Sequence, residues 1–564
     1  MAPKGPSLLA ALAVFGSGSG SSGGVANAAG GVDLSWHAPA KSDVNNLTAV
    51  INGKGVWGFI YDTSETPTTS MASITGATCP MCVHRHHKRT PYASNAFPVE
   101  PYQWNCDEQG LFYYGEPFAS SNKPAKTYWK VYISPVNPFV PAGWIGTCQF
   151  PQITAQGLDD SWLHGADLYG VYHDLLGFLP SRDAVNSPEW HRKVKYRVTN
   201  NQITSQVAGM VVNGMWATTD SLQLSIQAAG VDSLEPQYSC PAGSSLFNRI
   251  KSASNAAWAQ HLAAAGPLYA TLDDISGVPT DDAGFHASLD HYYDNLSARQ
   301  CHDKPFPCKL VNGVNSTTCV TQDLADAAYR LGHWEYSQIY RDAPDSLAAS
   351  VATWGVWVAE LATHLRAAVK GESETIYYHN VAHDGSVSRL LSILQLDNMV
   401  WPGMGSEVVF ELYKKKAVDG ENPPAPTSTV VAPGCSRNNC LRQMIRESAS
   451  ASTFCPSLTA TASWTEPLPT WAANCNGDVA AVSSACSCIY APATATPAAT
   501  ATPAPGSGVG EAGWYVRVLW GGQVFKSSSP ALGLLDMIPV ETLLAYFDGL
   551  VGENASLVKG KCSA

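Results

Sequence analysis

The sequence predicts a mixed α/β protein interrupted by an inserted cysteine-rich module. Three observations point there. Short apolar runs closed by polar residues alternate with longer stretches whose apolar residues recur at helical spacing. The 564 residues are 45% hydrophobic and only 14% charged, enough to bury a large core and too apolar for disorder. From Glu421 to Glu511 the composition turns to Ala, Thr, Ser and Pro, and the segments on either side read as strands.

Residues 1–28 read as an export signal. Lys4 supplies a basic start, Ser7 to Phe15 an apolar stretch too short to span a bilayer, and Ala26-Asn27-Ala28 a small-x-small cleavage site. Fifteen cysteines suit an oxidising compartment. Sequons at Asn46, Asn295, Asn315 and Asn554 are open to glycans. The expected location is therefore extracellular or cell wall. A formal net charge of −12 leaves no footprint for nucleic acid or an anionic membrane, and no later run is long enough for a transmembrane helix.

Cys79 to His84 reads as a buried strand. Leu158 to Phe178 reads as an amphipathic helix, with Leu158, Trp162, Leu168, Tyr169, Tyr172 and Leu175 on its apolar side. Asp323 to Tyr340 and Leu347 to Val369 repeat that pattern. Ile376 to Val381 is a strand, followed by a helix from about Ser386 to Gln395. Glu407 to Leu412 and Tyr515 to Trp520 are expected to pair in a ladder carrying Glu411 and Arg517, with 421–511 inserted between them, because loop-closure cost grows slowly with length. Leu111 to Tyr114 and Trp354 to Trp357 read as core, His333 and His364 as structural histidines, and Lys414 to Lys416 as a solvated strand end.

Six cysteines (Cys435, Cys440, Cys455, Cys475, Cys486 and Cys488) lie in the insertion and nine outside it. The even set can close on itself. The odd set leaves one thiol over or pairs across, and Cys82 in its buried strand is the expected free one. Cys79-x-x-Cys82 also has zinc spacing, but no second such pair accompanies it.

Chemistry concentrates in His84, Arg85, His86, His87, Lys88 and Arg89, ahead of Thr90-Pro91. Four readings fit this run: a solvated basic loop, a three-histidine metal site with no acidic or cysteine ligand close in sequence, a nucleic-acid patch on an acidic protein, and a phosphate pocket. In the last, guanidinium forks match phosphate oxygens and an imidazole attacks phosphorus. His383-Asp384 follows a strand, where α/β sheets place ligands. There the imidazole would contact phosphate and the carboxyl group protonate a leaving alcohol; alternatively Asp384 N-caps the next helix.

These residues together resemble the histidine acid phosphatase family, whose signature is Arg-His-Gly-x-Arg-x-Pro early and His-Asp late. Here they are Arg85-His86-His87-Lys88-Arg89-Thr90-Pro91 and His383-Asp384. Gln152 to Gly157 resembles the family's Leu-Thr-x-x-Gly helix start, and Tyr196-Arg197-Val198-Thr199 resembles the segment supplying a third phosphate-binding arginine. Arg89 to Asn95 and Trp401 to Ser406 look like a secreted fungal branch. The similarity runs from about Val32 to Gly420 and from Gly513 to the end. One departure is His87, where the family has glycine; a backbone needing φ > 0 there would disfavour a β-carbon.

The resemblance implies a phosphoglycerate mutase-like three-layer α/β/α fold, residues 29–420 and 512–564, with a helical cap drawn from about 200–375. It implies a metal-independent, cofactor-free acid phosphatase acting on small phosphate monoesters. His86 is the implied nucleophile and Asp384 the proton donor, while Arg85, Arg89, Arg197 and His383 neutralise phosphate. It allows a phytase, or a catalytically impaired wall-binding relative, as alternatives. Lys88 is the one further cation beside the motif. The insertion resembles cysteine-containing modules of exported fungal proteins, and its Thr/Pro tract suggests an O-glycosylated tether, a spacer or an attachment to wall polysaccharide.

Overall fold

A computed structural model describes residues 81–415 and 513–563 apart from 100–101, 113–114, 117–122 and 141–142, together with strand residues 74–77 and parts of 451–490. The leader, Asn46, Cys79, Cys435, Cys440, Lys416 and the Thr/Pro tract lie outside the described residues.

In chain order the strands of one mixed sheet are β1 (Ile74–Ala77), β2 (Met81–Arg85), β3 (Val194–Val198), β4 (Tyr377–Ala382), β5 (Glu407–Lys415), β6 (Trp514–Trp520), β7 (Gln523–Val524) and β8 (Ile538–Pro539). They lie in the order β7-β6-β5-β2-β4-β3, with β1 against β5 and β8 against β6. β2, β4 and β3 run parallel, and β5 and β6 are antiparallel to their neighbours. The ladder expected across the insertion is present, with Arg517 opposite Glu411.

The main helices are α1 (Ala155–Tyr169), α2 (Gln202–Trp216), α3 (Pro241–Ile250), α4 (Ala256–Ser276), α5 (Asp290–Cys301), α6 (Gln322–Ser337), α7 (Ser346–Lys370), α8 (Asp384–Ile393) and α9 (Val540–Val551). Strand alternation sorts side chains into two layers. Met81, Val83, Val408, Phe410, Val516 and Val518 face a core with Trp354 and Trp357 of α7 and the apolar faces of α8 and α9. Cys82, Tyr196, Val198, Tyr377 and Val409 face α1 and α2. A separate all-helical core joins α4, α5 and α6 to Phe97 and Trp401. The fold is thus a three-layer α/β/α core with an additional helical cluster. None of the described helices is long and apolar enough to cross a membrane.

The chain divides into two compact units, residues 1–416 with 512–564, and residues 417–511. Within the second, Cys455–Cys486 anchors a small core with Leu458 and Val482, beside a helix Val479–Tyr490. In the first, Cys106–Cys148, Cys240–Cys562 and Cys308–Cys319 are bridged. Cys82 is a buried free thiol as expected, and Cys301 is a second.

Four expectations need correction. The helix from Leu158 stops at Tyr169 and continues as a wider π-helical turn, Gly170–Leu175, leaving Trp162 and Leu175 exposed rather than on a buried side. Phe112 is 55% exposed on a two-stranded ribbon, although its neighbour Leu111 is buried. Asn295 cannot carry a glycan in this fold: it is buried, and its amide donates to the Asn95 carbonyl at 2.8 Å. Asp384 is the first residue of α8, and His383 occupies the N-cap position. His333 is structural, its Nδ1 accepting from the Trp401 backbone N–H at 3.0 Å. His364 packs its ring at 4.3 Å from Tyr378.

Candidate active site

The motif leaves the carboxyl end of β2 beside the carboxyl end of β4, which delivers His383 and Asp384. Backbone bonds fix the two turns together. His86 N–H donates to the Ala382 carbonyl at 3.0 Å, and the His86 carbonyl accepts from Gly405 N–H at 2.9 Å. The segment Trp401–Ser406 closes the site: the Ser406 carbonyl accepts from Arg85 N–H at 3.0 Å, and the Pro402 carbonyl accepts from Arg85 Nη1 at 2.7 Å. On the other side, Thr154 caps α1 by accepting from Gly157 N–H at 3.1 Å. Gly157 is required there, because a β-carbon would run into the Lys88 carbonyl. The helix start noted in the sequence thus presses against the motif.

Arg85, His86 and Arg89 are all buried. His86 Nδ1 lies 3.0 Å from its neighbour's carbonyl, that of His87. A carbonyl only accepts, so Nδ1 carries the hydrogen and Nε2 keeps its lone pair. Burial, reinforced by the positive charge of Arg89 and Arg85, holds this imidazole well below the usual range, hence neutral. The His383 ring stands 5.5 Å from that of His86, its Nε2 3.0 Å from Thr199 Oγ1, and burial pulls it down to about 4.

Asp384 Oδ2 accepts from Trp401 Nε1 at 2.8 Å and Tyr336 Oη at 3.2 Å, and pairs with Arg85 Nη2 at 3.3 Å. Burial alone would raise this carboxyl group; Arg85, the indole bond and Arg89 outweigh it and hold it at about 2. Trp401 is itself clamped between Tyr293 and Tyr336, with ring centroids 4.0 and 4.1 Å away. Arg89 pairs with Asp294 of α5 at 3.0 Å and lies over the Tyr92 ring at 4.2 Å. Burial opposes the charge on Arg89, and Asp294 more than offsets it. Nε of Arg85 and Nε of Arg89 are buried without a hydrogen-bond partner among the described residues.

Arg197 is not brought to this group. Strand alternation turns it toward α7, where it pairs with Glu360 at 2.8 Å and Asp232 at 3.1 Å and bonds to Gln227 and Ser233. Lys88 is taken by Asp160 of α1 at 3.0 Å. His87 has no left-handed backbone, so its β-carbon is unstrained. Its ring points to His164, at 3.2 Å between Nε2 and Nδ1.

Asp294 and Trp401 have no signal as site residues in the sequence, since each reaches the motif from a segment hundreds of positions away. A pocket lined by Arg85, Tyr293, Asp294, Ser297, Trp401 and Met404 opens beside them.

No family model matches the chain, and no curated protein matches it. Among solved structures it is similar to the phytase of Klebsiella sp ASR1, at 14% identity over 61% of this chain and 81% of that one, TM-score 0.38. The phytase from D. castellii is 11% identical over 91% of this chain and 88% of its own, TM-score 0.41. A Bifidobacterium longum multiple inositol polyphosphate phosphatase, in complex with inositol hexasulfate, is 11% identical over 64% and 87%, TM-score 0.38. Likeness at this level carries no inference about activity.

Proposed function

We propose that this chain is a secreted acid phosphatase of the histidine acid phosphatase type, hydrolysing phosphate monoesters through a phosphohistidine. The observation that carries the reading is a neutral His86, its Nε2 lone pair available, between two buried guanidinium groups whose Nε–H donors lack partners among the described residues. Unpaired buried donors are costly, and a phosphoryl group would satisfy them.

His86 Nε2 attacks phosphorus in line, forming the P–N bond as the P–O bond to the alcohol breaks. Asp384 gives its proton to the departing oxygen. Water then attacks the phosphohistidine, Asp384 takes the water's proton, and inorganic phosphate leaves with His86 restored. Arg85, Arg89 and His383 balance the charge on the non-bridging oxygens. An Asp384 held at about 2 is ionised in the free site. A phosphate dianion beside it offsets the arginines and raises its proton affinity, so protonation accompanies substrate binding.

A simple monoester is favoured over phytate, because Lys88 is committed to Asp160 and so adds no cation for a polyphosphate. The impaired, wall-binding alternative rested on His87, and the relaxed backbone and averted ring there weigh against it. The insertion is assigned a spacer or wall-attachment role outside catalysis.

Phosphate release from a chromogenic monoester at pH 4 to 6, with phytate in parallel, tests the reading. His86→Ala should lose at least about 10³-fold in kcat while keeping its near-UV circular dichroism. A folded His86→Ala variant with near native turnover rejects it.

A further inference from the structure

On the sheet face covered by α1, directly behind the nucleophile, four imidazoles meet: His84 of β2, His379 of β4, His164 of α1 and His87 of the motif. None is more than 1% exposed. The strand register brings an acid and a thiol to the same layer, with Cys82 opposite His379 and His84 opposite Glu407. Sequence proximity offered three histidines and no acidic ligand; the fold supplies one from a strand more than three hundred residues away.

One donor atom from each of His84, His87 and His164 lies within 4.8 Å of the others. Three atoms so spaced share a central point no more than about 2.8 Å from each, and small ring rotations reach the roughly 2.1 Å of a zinc–imidazole bond. Nitrogens on a tetrahedral zinc stand about 3.3 Å apart, and His87 Nε2 to His164 Nδ1 is 3.2 Å.

At His84 the outer ring nitrogen is arranged as in metal sites, where an imidazole is oriented by a second partner. His84 Nδ1 lies 2.8 Å from the Arg85 carbonyl, so it carries the hydrogen and Nε2 has its lone pair directed inward. His164 Nε2 is 3.4 Å from Glu407 Oε2. His379 Nδ1 is 2.8 Å from Tyr377 Oη, and its Nε2 is 2.8 Å from His84 Nε2.

We infer that His84, His87 and His164 bind a divalent transition metal, zinc by the all-nitrogen donor set, with His379 packed behind His84 and Glu407 supplying the nearby negative charge. All three ligands are at most 1% exposed, which leaves no path for substrate to the ion, so it is structural: it ties β2, the motif and α1 together behind His86 and takes no part in phosphoryl transfer. The departure at His87 then has a use, since glycine cannot be a ligand. This assignment differs from the metal-free expectation of the sequence, and it stands whether or not the chain is a phosphatase.

Full-length protein purified from zinc-containing medium and dialysed should hold about one zinc per chain by elemental analysis. Protein produced with cobalt should show the intense visible bands of tetrahedral cobalt coordination. His87→Gly, which carries the family's residue, should hold at least about ten-fold less metal, and so should His164→Asn. The cobalt spectrum of the unmutated protein decides the matter even where a variant fails to fold. Unmutated protein with less than about a tenth of an ion per chain and no cobalt bands overturns the inference, as does full zinc content in folded His87→Gly and His164→Asn.

Discussion

Trp401 donates its indole N–H to Oδ2 of Asp384 at 2.8 Å, on the same oxygen that faces Arg85. The two donors make this carboxylate far easier to keep ionised than its burial would allow, and in the proposed mechanism they set the pH at which it delivers a proton.

Trp401→Phe removes one of them while keeping the stack between Tyr293 and Tyr336. A hydrogen bond to a charged group contributes about 1.5 kcal/mol or more, so the Asp384 pKa should rise by about one unit. A proton donor is lost as pH rises through its pKa, so a higher pKa moves the basic limb of the kcat profile upward by about that amount. A limb that stays in place argues that another group delivers the proton.

Arg197→Ala should act on stability and spare catalysis. It strands Asp232, which is fully buried, and one of the oxygens of Glu360. Because Arg197 is itself about a fifth exposed, the loss should fall at or below the lower end of the range for a broken buried pair, about 2 to 3 kcal/mol in denaturant unfolding. The expected kcat/KM change is within about three-fold. A loss of a hundred-fold with unaltered stability would place Arg197 on the phosphate after all.

Glu335 gives the helical cluster its own pH dependence. Its carboxyl group accepts from Leu289 N–H at 2.9 Å and lies 2.7 Å from His261 Nε2, and burial pushes it up to about 8. A carboxyl group raised from about 4.3 in the unfolded chain holds its proton only when folded, so its stabilisation is complete below that value and declines as pH rises toward 8. His261, pulled down to about 3 by burial, works in the opposite sense below about 6.5. Unfolding free energy should therefore fall most clearly between pH 6.5 and 8. Glu335→Gln should flatten that decline; a variant as pH-sensitive as the native protein would contradict the assignment.

Replacing residues 421–511 with a short hairpin loop should leave turnover within about two-fold, since β5 and β6 already pair from Lys414–Trp514 inward. Retention on wall polysaccharide is the property expected to disappear. Loss of catalysis in a folded deletion variant would assign the insertion a part in the site.

The candidate site was legible because Arg85, His86 and Arg89 follow closely at the end of β2 and His383-Asp384 stand side by side just after β4, so their types and spacing survive in the linear sequence. The β5–β6 ladder was legible because both strands keep a polar member, Glu411 and Arg517, that ends up opposite the other. Arg197 misled for a physical reason: one residue of strand separates the two faces of a sheet, and only the paired register shows that Arg197 faces α7. Asp294, Trp401, His164 and Glu407 act through tertiary contact alone. Each would read, in isolation, as an ordinary helix, loop or strand residue.

The interrupted β5–β6 ladder also has a consequence for biosynthesis. β5 carries Val408, Phe410 and Leu412 on one face, and its partner β6 follows only after about a hundred further residues. At typical elongation rates of roughly 5–20 residues per second, that edge waits on the order of ten seconds for its neighbour. An insertion that folds promptly as its own unit would draw the two strand ends together and shorten the effective loop, so its rate of folding should govern how long the nascent sheet stays open to chaperones and to aggregation.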